Sequence, residues 1–352
     1  MKQDDFIADR EEKILVTGAN GFIGTRVVQS LVHRGFGNMR CLVRSPRNIS
    51  ALKKIREESQ NPGFEIFEGN LLSPADCEYA AKGVSAVYHL AASTSDRSFS
   101  AAYDNSVTAT RNLLDGALRQ TTLKRFTNVS SFSVYSTTSM VPGEVLDETC
   151  EVEKAPEIRG EAYCYGKVKQ EEMVLEYHRM SGVPYVILRP GVVYGPGKAA
   201  FTGRIGILRS GVLLHLGGKN KIPFTYVDNC AEAIVLAGLK VGVDGEVLNI
   251  VDDELPSSRQ FVSLYKKNVR NITSIYLPKA GSFLLCYLWE KCSAWSGGRL
   301  PPIFNTRRWS SDWKGMSYTN EKLKRLTGWE PGISTEQGLK AYFEYCRDAG
   351  ES

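Results

Sequence analysis

Two interleaved tyrosine–lysine pairs, Tyr163/Lys167 and Tyr165/Lys169, place groups suited to proton transfer near the middle of the chain. The surrounding pattern predicts that they open a helix, and residues four apart share one face of a helix. A lysine ammonium beside a phenol lowers the pKa of the tyrosine, which could then exchange a proton with a hydroxyl or carbonyl near neutral pH. Positions two apart are turned by about 200° on a helix, so only one pair can face a bound reactant. Spacing alone does not separate the two pairs, and a surface pair without function is the alternative.

Residues 13–24 read KILVTGANGFIG, an apolar run followed by three glycines at intervals of three. The run at 14–16 predicts a strand covered on both faces, and a helical periodicity begins within the segment. Gly18 would make the turn, Gly21 would let the backbone approach a pyrophosphate, and Gly24 would let the helix lie close on the strand. Unpaired N–H groups and the helix dipole favour an anion there. A strand before and a helix after the glycines favour dinucleotide binding over a structural turn.

The second predicted strand, residues 39–44, ends in a basic loop that contains Arg44 and Arg47 and has no carboxylate before Glu57. An acidic residue at this point binds the ribose 2′-hydroxyl of NAD, whereas arginine accommodates the 2′-phosphate of NADP. The guanidinium fork matches phosphate oxygens well. The sequence therefore predicts NADP as the preferred cofactor and NAD as the alternative, while a solvated basic loop would explain the same residues without function.

Further strands are expected at residues 64–68, 85–90 and 124–129, each followed by a helical segment. Alternation of strands and helices at this spacing predicts an α/β fold with a Rossmann-type, doubly wound parallel sheet. The small residues Ala91 and Ala92 would let a cofactor lie against the end of one strand.

We expect the chain to divide into a tail, a large domain and a smaller C-terminal lobe. The tail is residues 1–12, and the dinucleotide-binding Rossmann domain, which also carries the catalytic residues, is 13–190. Residues 191–352 mainly form the substrate-binding lobe, with a segment at about 225–250 returning to the Rossmann domain.

The composition excludes several function classes. The net charge of +5 comes without a Lys/Arg block, which argues against a nucleic-acid partner. The eight cysteines form no CxxC pair and the four histidines have no metal-ligand spacing, so we expect no metal and a reducing compartment. The charged N-terminus lacks the core of a signal peptide and no apolar run is long enough to span a membrane, so a cytoplasmic location is expected.

Motifs spread over residues 13–342 resemble those of the extended short-chain dehydrogenases/reductases, which include epimerases/dehydratases and 3β-hydroxysteroid dehydrogenases. In chain order these motifs are TGANGFIG at 17–24, YHLAA at 88–92, Asn105, Ser131, YGKVK at 165–169, Arg189-Pro190, YGP at 194–196, YVD at 226–228 and LNI at 248–250. Matching the family's YxxxK motif to 165–169 selects Tyr165 and Lys169 from the two pairs.

The resemblance implies hydride transfer between a substrate hydroxyl or carbonyl and C4 of a nicotinamide. Tyr165 would be the acid/base, Lys169 would bind the nicotinamide ribose and lower the tyrosine pKa, and Ser131 would orient the substrate oxygen. Asn105 would support the lysine through a water molecule. Family members often dimerise through a four-helix bundle, so a homodimer is expected. The expected cofactor-binding residues are Thr17, Gly18, Asn20, Gly21, Phe22, Ile23, Gly24, Arg44, Arg47, Asn70, Leu71, Leu90, Ala91, Ala92, Tyr165, Lys169, Pro190, Val192 and Val193.

Departures from the family pattern reduce the set of reactions that the chain is expected to catalyse. Sugar 4,6-dehydratases carry an Asp-Glu pair directly after the active-site hydroxyl residue, whereas Phe132 and Ser133 stand there, so that reaction is not expected. Val192 replaces the asparagine that nucleotide-sugar enzymes use to reach their substrate. We therefore expect an NAD(P)-dependent dehydrogenase or reductase acting on a hydroxyl or keto group of a small, apolar or ring-bearing substrate. The alternatives are a nucleotide-sugar 4-epimerase or reductase with bound NAD, and a non-catalytic dinucleotide-sensing protein.

The late segment at residues 275–313 is rich in aromatic side chains, and all five tryptophans fall after residue 288. Its apolar side could pack on the domain as core, which is the usual meaning of an apolar helix face. It could instead form the wall of a pocket for an apolar substrate. A third interpretation is a peripheral membrane contact through 275–295, because tryptophan with arginine or lysine favours headgroup depth.

Overall fold

The computed structural model describes residues 5–61, 63–92, 96, 98–198, 201–297, 299–300 and 304–349. The strands are β1 Lys13–Thr17, β2 Met39–Val43, β3 Glu65–Glu68, β4 Val84–His89, β5 Arg125–Val129, β6 Val145–Leu146, β7 Tyr185–Pro190, β8 Val192–Tyr194, β9 Gly206–Arg209, β10 Val212–His215, β11 Phe224–Tyr226, β12 Glu246–Ile250, β13 Thr273–Tyr276 and β14 Ser317–Tyr318.

The helices alternate with these strands in the first half of the chain. They are α1 Gly24–His33, α2 Ser50–Ser59, α3 Pro74–Ala81, α4 Phe99–Tyr103, α5 Ala109–Leu118, α6 Pro156–Arg159, α7 Ala162–Ser181, α8 Val227–Leu239, α9 Ser258–Asn268, α10 Lys279–Trp295, α11 Thr306–Trp313, α12 Glu321–Thr327 and α13 Thr335–Asp348. A π-turn, Asp104–Thr108, joins α4 to α5, and a 3₁₀ turn, Phe132–Val134, follows β5. Among the described helices, none is both long and apolar enough to cross a bilayer.

The central element is a seven-stranded sheet in the order β12-β7-β5-β4-β1-β2-β3, with every pair of neighbours parallel. The prediction of a doubly wound parallel sheet is confirmed. The strand order reverses between β1 and β4, and ligands of open α/β sheets bind at such a switch point, outside the carboxyl ends of the strands. The glycine turn after β1 and the serine that follows β5 therefore meet at one edge of the sheet.

Both faces of the sheet are covered by helices, which explains the continuous apolar runs of the strands. Ile14 and Val16 of β1 face one core with α1, α2 and α8, whereas Leu15 faces the opposite core with α3, α5 and α7. This alternation follows from the two-residue period of a strand. The alternation therefore determines to which face of the sheet the residues after each strand are directed at the switch point.

The lobe packs beside the carboxyl edge of this sheet. It contains the three-stranded sheet β13-β10-β9 and an aromatic core around Phe261, Tyr265 and Tyr342. The short parallel pair β8–β11 continues from the end of β7 and brings the segment after Pro190 to the lobe. Helix α11 packs on α10, and both adjoin the lobe sheet through an apolar cluster that includes Leu216, Trp309 and Trp313.

Candidate active site

The turn between β1 and α1 has a geometry that only glycine allows. Gly18 has φ +65°, and a Cβ placed on it would lie 3.0 Å from the backbone nitrogen of Ala91. A Cβ on Gly24 would overlap the carbonyl oxygen of Gly18, and the amide of Gly21 donates to that same oxygen at 2.9 Å. The first turn of α1 has no acidic side chain, and Ile23 at its N-cap position makes no side-chain capping bond. This bare, positive helix end fits the pyrophosphate of a dinucleotide.

The loop after β2 lies against this turn. The Asn20 side chain donates to the carbonyl oxygen of Arg47 at 3.2 Å, and both Arg44 and Arg47 are exposed. The next predicted position, Asn70, uses its side-chain oxygen in a local turn, where it accepts from the Leu72 amide at 3.0 Å. Leu71 is buried beside it. The two arginines are thus placed beside the glycine turn, where the adenosine half of a dinucleotide would lie.

The residues expected along the strand ends occupy the same edge. Leu90 and Ala91 are half-buried and Ala92 is exposed, directly after β4. On the far side, Pro190 ends β7, while Val192 and Val193 are half-buried in β8. Phe22 is half-buried and packs against the aromatic core of the lobe.

Ser131, which follows β5, lies beside Tyr163 and not beside Tyr165. The two side chains share a hydrogen bond, which works to lower the pKa of Tyr163, although burial outweighs it and raises that pKa overall. Ser131 Oγ also accepts from the backbone amide of Ser133 at 3.1 Å. The ring of Tyr165 instead packs on Phe99, with ring centroids 5.1 Å apart. Of the two tyrosines, the structure thus places Tyr163 beside Ser131, whereas the sequence-based choice was Tyr165, because helix α7 turns Tyr163 toward the end of β5.

The two lysines lie on the same two sides of helix α7 as the two tyrosines. Lys167 is only 2% exposed, and its ammonium donates to Val129 O at 2.6 Å and to Gln170 Oε1 at 2.9 Å. Burial lowers its pKa to about 8. Lys169 points away from this edge and pairs with Glu172 at 2.8 Å. The structure therefore places Tyr163 and Lys167 beside Ser131 and Val129 at the end of β5, where Tyr165 and Lys169 were expected.

A buried chain of hydrogen bonds runs from the glycine turn to Lys167. Thr17 Oγ1 lies 2.8 Å from His89 Nδ1, and His89 Nε2 lies 2.9 Å from Thr110 Oγ1. Gln170 Nε2 donates to Thr110 Oγ1 at 2.9 Å, and Gln170 Oε1 accepts from Lys167. Burial lowers the pKa of His89 to about 3, so this ring is neutral at physiological pH.

The direction of donation along this chain can be assigned. Thr110 Oγ1 donates to the backbone oxygen of Ser106 at 2.5 Å, so it can only accept from His89 and Gln170. His89 must then carry its proton on Nε2 and accept at Nδ1 from Thr17. Each bond of this chain then joins one donor to one acceptor, and the Gln170 oxygen is left facing the ammonium of Lys167. Sequence analysis missed Thr110 and Gln170, because each belongs to an otherwise ordinary helix and only the fold brings them together.

Asn105 lies in the π-turn before α5, a kind of irregularity that is frequent at functional sites. Its side-chain nitrogen donates to Asp96 Oδ1 at 3.1 Å. Helix α7 passes close over this turn at Gly166, where a Cβ would lie 2.9 Å from Ser106 Oγ. The expected link from Asn105 to the lysine through water remains a prediction.

A cavity of about 210 Å³ opens beside Ser131, between the end of β5 and the lobe. Its walls are strongly charged, which the sequence did not indicate. They include Arg159, Glu161, Arg204, Arg308 and Asp312, together with Phe132, Ser133, Gly191, Val192, Thr202 and Gly203.

Ion pairs order part of these walls. Glu161 accepts from Arg159 Nε at 2.6 Å and lies 3.3 Å from Arg308 Nε. Burial and the neighbouring Glu161 carboxylate raise the pKa of Asp312 in spite of the surrounding arginines. Three guanidinium groups thus face two carboxyl groups. The pocket has an excess of positive charge.

Among the described residues of the late segment 275–313, Arg308 and Asp312 line the charged cavity, whereas helix α10, for which the sequence left a core face, a pocket wall and a membrane contact open, lies away from it. Helix α10 contributes to a separate apolar cavity of about 240 Å³ with Leu214, Leu277 and Trp313. Trp313 also donates from Nε1 to Gly203 O at 2.9 Å, and so stands between this cavity and the charged one. Residues 298 and 301–303 of the late segment lie outside the described residues.

Comparison with known proteins gives the family. A model of the NAD dependent epimerase/dehydratase family matches residues 14–250. The chain belongs to this family. An uncharacterized UDP-glucose epimerase, YtcB, of Bacillus subtilis (strain 168) is 30% identical over 266 residues, which cover 72% of this chain and 80% of that protein.

Two further relatives show the range of the epimerase/dehydratase family around this chain. A 2-alkyl-3-oxoalkanoate reductase of Stenotrophomonas maltophilia (strain K279a) is 28% identical over 347 residues, or 93% of this chain and 97% of that one. The solved UDP-glucuronic acid 4-epimerase of Bacillus cereus, in complex with UDP-glucuronic acid and NAD, shares the fold with a TM-score of 0.71. Its identity is 23%, over 96% of this chain and 99% of that one. As a member of the epimerase/dehydratase family, the chain is an NAD-dependent enzyme of the oxidoreductase and epimerase class.

Proposed function

We propose that this enzyme transfers a hydride between a nicotinamide dinucleotide and a hydroxyl or keto group of a small anionic substrate, with Tyr163 as the acid/base. The observation that carries the proposal is the convergence of Ser131, Tyr163 and Lys167 at the switch point, beside a glycine turn that fits a pyrophosphate. The intact trio argues against a protein that only senses dinucleotides.

Each residue has a role that follows from its surroundings. When bound, the nicotinamide supplies or accepts the hydride. Tyr163 would give its proton to the substrate oxygen during reduction and take it back during oxidation, and Ser131 would hold the same oxygen by a hydrogen bond. Lys167, held by Val129 O and Gln170, would contact the nicotinamide ribose and favour the phenolate of Tyr163.

The charged cavity supports an anionic substrate. Burying a carboxylate or phosphate beside Arg204 and Arg308 would offset the excess positive charge, and arginine forks bind such groups in two-point contacts. An apolar substrate would bury the guanidinium groups of Arg204 and Arg308 without bringing a counter-charge of its own, which is costly. We therefore prefer a polar, anionic substrate to the apolar one that the sequence suggested. Nucleotide-sugar 4-epimerisation with bound NAD is the second candidate, because the same pocket would accept an acidic sugar.

For the cofactor, we propose that NADP is preferred and that Arg44 and Arg47 bind its 2′-phosphate. The support is their exposure beside the glycine turn and the hydrogen bond from Asn20 that holds their loop there. A homodimer and a cytoplasmic location stay predictions.

The test starts with the cofactor. The purified protein is first examined for dinucleotide that co-purifies, and is then titrated with NADPH and NADH by fluorescence. An empty site with NADPH preference supports a reductase that exchanges its cofactor. Tightly held NAD supports the epimerase, which regenerates its cofactor in each turnover.

Turnover is then measured on UDP-glucose, UDP-glucuronic acid, and a short and a long 3-oxo acid. On the best substrate, Tyr163→Phe should lower kcat/KM by about 10²- to 10⁴-fold and keep dinucleotide affinity. Tyr165→Phe is the matched control and should change kcat/KM by less than about threefold, because its ring packs on Phe99 and the substitution keeps that ring. Full activity of Tyr163→Phe, or loss of activity only in Tyr165→Phe, would refute the assignment.

A further inference from the structure

Helix α10 presents an apolar face to solvent. Leu284, Leu288, Lys291 and Trp295 recur at intervals of four, three and four residues and so form one stripe along the helix. Leu284 is 54% exposed, Leu288 48% and Trp295 92%. Their exposed apolar neighbours on α10 are Phe283, Leu285 and Tyr287. We call this set, from Phe283 to Trp295, the α10 face.

The opposite side of α10 is firmly attached, so the α10 face is not a core surface that has been left open by chance. Ser282 and Cys286 are buried there, and Trp309 of α11 donates to Ser282 Oγ at 2.9 Å. Phe283 adds a ring contact to Trp309, with centroids 5.0 Å apart. The helix therefore holds one orientation, and its exposed side is a fixed feature of the folded protein.

The charged side chains of residues 271–300, which contain α10, are basic apart from one. Glu290 is the only acidic residue of 271–300, and its carboxylate accepts from the amide and hydroxyl of Thr306 at 2.9 and 2.8 Å. Lys291 and Arg299 are both exposed at the same end of the helix. Exposed leucines flanked by a tryptophan and by basic groups are the composition of a helix that lies in a membrane interface and meets anionic headgroups.

We propose that the α10 face docks the protein on the surface of a membrane that contains anionic lipids, with α10 lying in the plane of the interface. Leu284 and Leu288 enter the boundary between headgroups and acyl chains, Trp295 sits at headgroup depth, and Lys291 meets lipid phosphates. A second copy of the chain fits this surface less well. In a parallel symmetric pair, Lys291 and Arg299 of both copies would meet, and in either a parallel or an antiparallel pair the described residues 271–297 and 299–300 offer no free carboxylate to the basic groups of the other copy's α10 face.

The test measures co-sedimentation of the full chain with vesicles of phosphatidylcholine alone or mixed with phosphatidylglycerol. We expect binding to the mixed vesicles that weakens as salt is raised. The double variant Leu284→Ser/Leu288→Ser should bind at least about tenfold more weakly, since two leucines no longer leave water. Met180→Ser is the matched control, because Met180 is 75% exposed on α7, outside the α10 face.

Trp295 supplies an internal probe of depth. Lipids with brominated acyl chains should quench part of the tryptophan emission, and Trp295→Phe should remove most of the quenched part, because Trp309, Trp313 and Trp329 are buried and Trp289 is half-buried against Phe304. Dinucleotide binding and the unfolding temperature of the variants verify that they fold. Equal binding of the double variant and the parent protein would overturn the proposal, as would no binding to mixed vesicles. A dimer that the double variant abolishes, without vesicle binding, would assign the α10 face to a second copy.

Discussion

Replacing Gln170 tests whether the buried hydrogen-bond chain sets the charge of Lys167. Gln170 Oε1 accepts from the ammonium at 2.9 Å, and Lys167 has its pKa lowered to about 8 by burial. A hydrogen bond to a charged group contributes about 1.5–3 kcal/mol, and one pKa unit corresponds to about 1.4 kcal/mol. Gln170→Leu should therefore lower the pKa of Lys167 by a further one to two units, to about 6–7. Gln170→Glu keeps the acceptor and adds a negative charge, so it should raise this pKa.

The assay is the pH dependence of kcat/KM. In the proposed mechanism the ammonium form of Lys167 would contact the ribose and favour the phenolate of Tyr163, so activity should fall as the pH rises through the pKa of Lys167. This alkaline limb should move to lower pH in Gln170→Leu and to higher pH in Gln170→Glu. Glu172→Gln, which removes only the exposed partner of Lys169, should leave the limb in place. Identical alkaline limbs in both Gln170 variants would refute the reasoning.

Three further changes test other parts of the site. Gly24→Ala places a Cβ against a backbone carbonyl of the glycine turn and should abolish NADPH binding in a fluorescence titration. Glu171→Gln removes the carboxylate from a buried pair with Arg189 and should lower the free energy of unfolding in urea by roughly 3–5 kcal/mol. Glu172→Gln is exposed and should change it by less than about 0.5 kcal/mol. Arg47→Ala should weaken NADPH binding by about tenfold or more and leave NADH binding unchanged.

The fold could be predicted from the sequence. Apolar runs, glycines and helical periodicity are local signals, and they recur with each strand and helix of the parallel sheet. Which of the two tyrosine–lysine pairs lies beside Ser131 could not be predicted from such local signals. Both tyrosine–lysine pairs satisfy the same spacing, and the choice depends on which side of α7 packs toward β5. A signal was present in Glu171, four residues after Lys167, which pairs with the buried Arg189 and so marks the inward side of the helix.

The charged substrate cavity was out of reach of sequence patterns for a different reason. Its arginines come from positions 159, 204 and 308, on three segments that meet only in the folded lobe. The aromatic segment around α10 left a core face, a pocket wall and a membrane contact open, because sequence composition does not tell which side of a helix meets the substrate, the core or the solvent.

The π-turn at Asp104–Thr108 has a consequence for how this helical segment can vary. A π-turn is closed by i→i+5 hydrogen bonds and so holds one residue more than a turn of α-helix, which sets the angle between Asn105 inside it and Thr110 after it. Loss of a single residue from the turn would rotate Asn105 by about 100° relative to Thr110. Asn105 or Thr110 would then lose its present position on α7's side of the sheet, while the glycine turn would be untouched. We therefore expect this segment to tolerate substitutions better than a change in length, because only a change in length rotates Asn105 relative to Thr110.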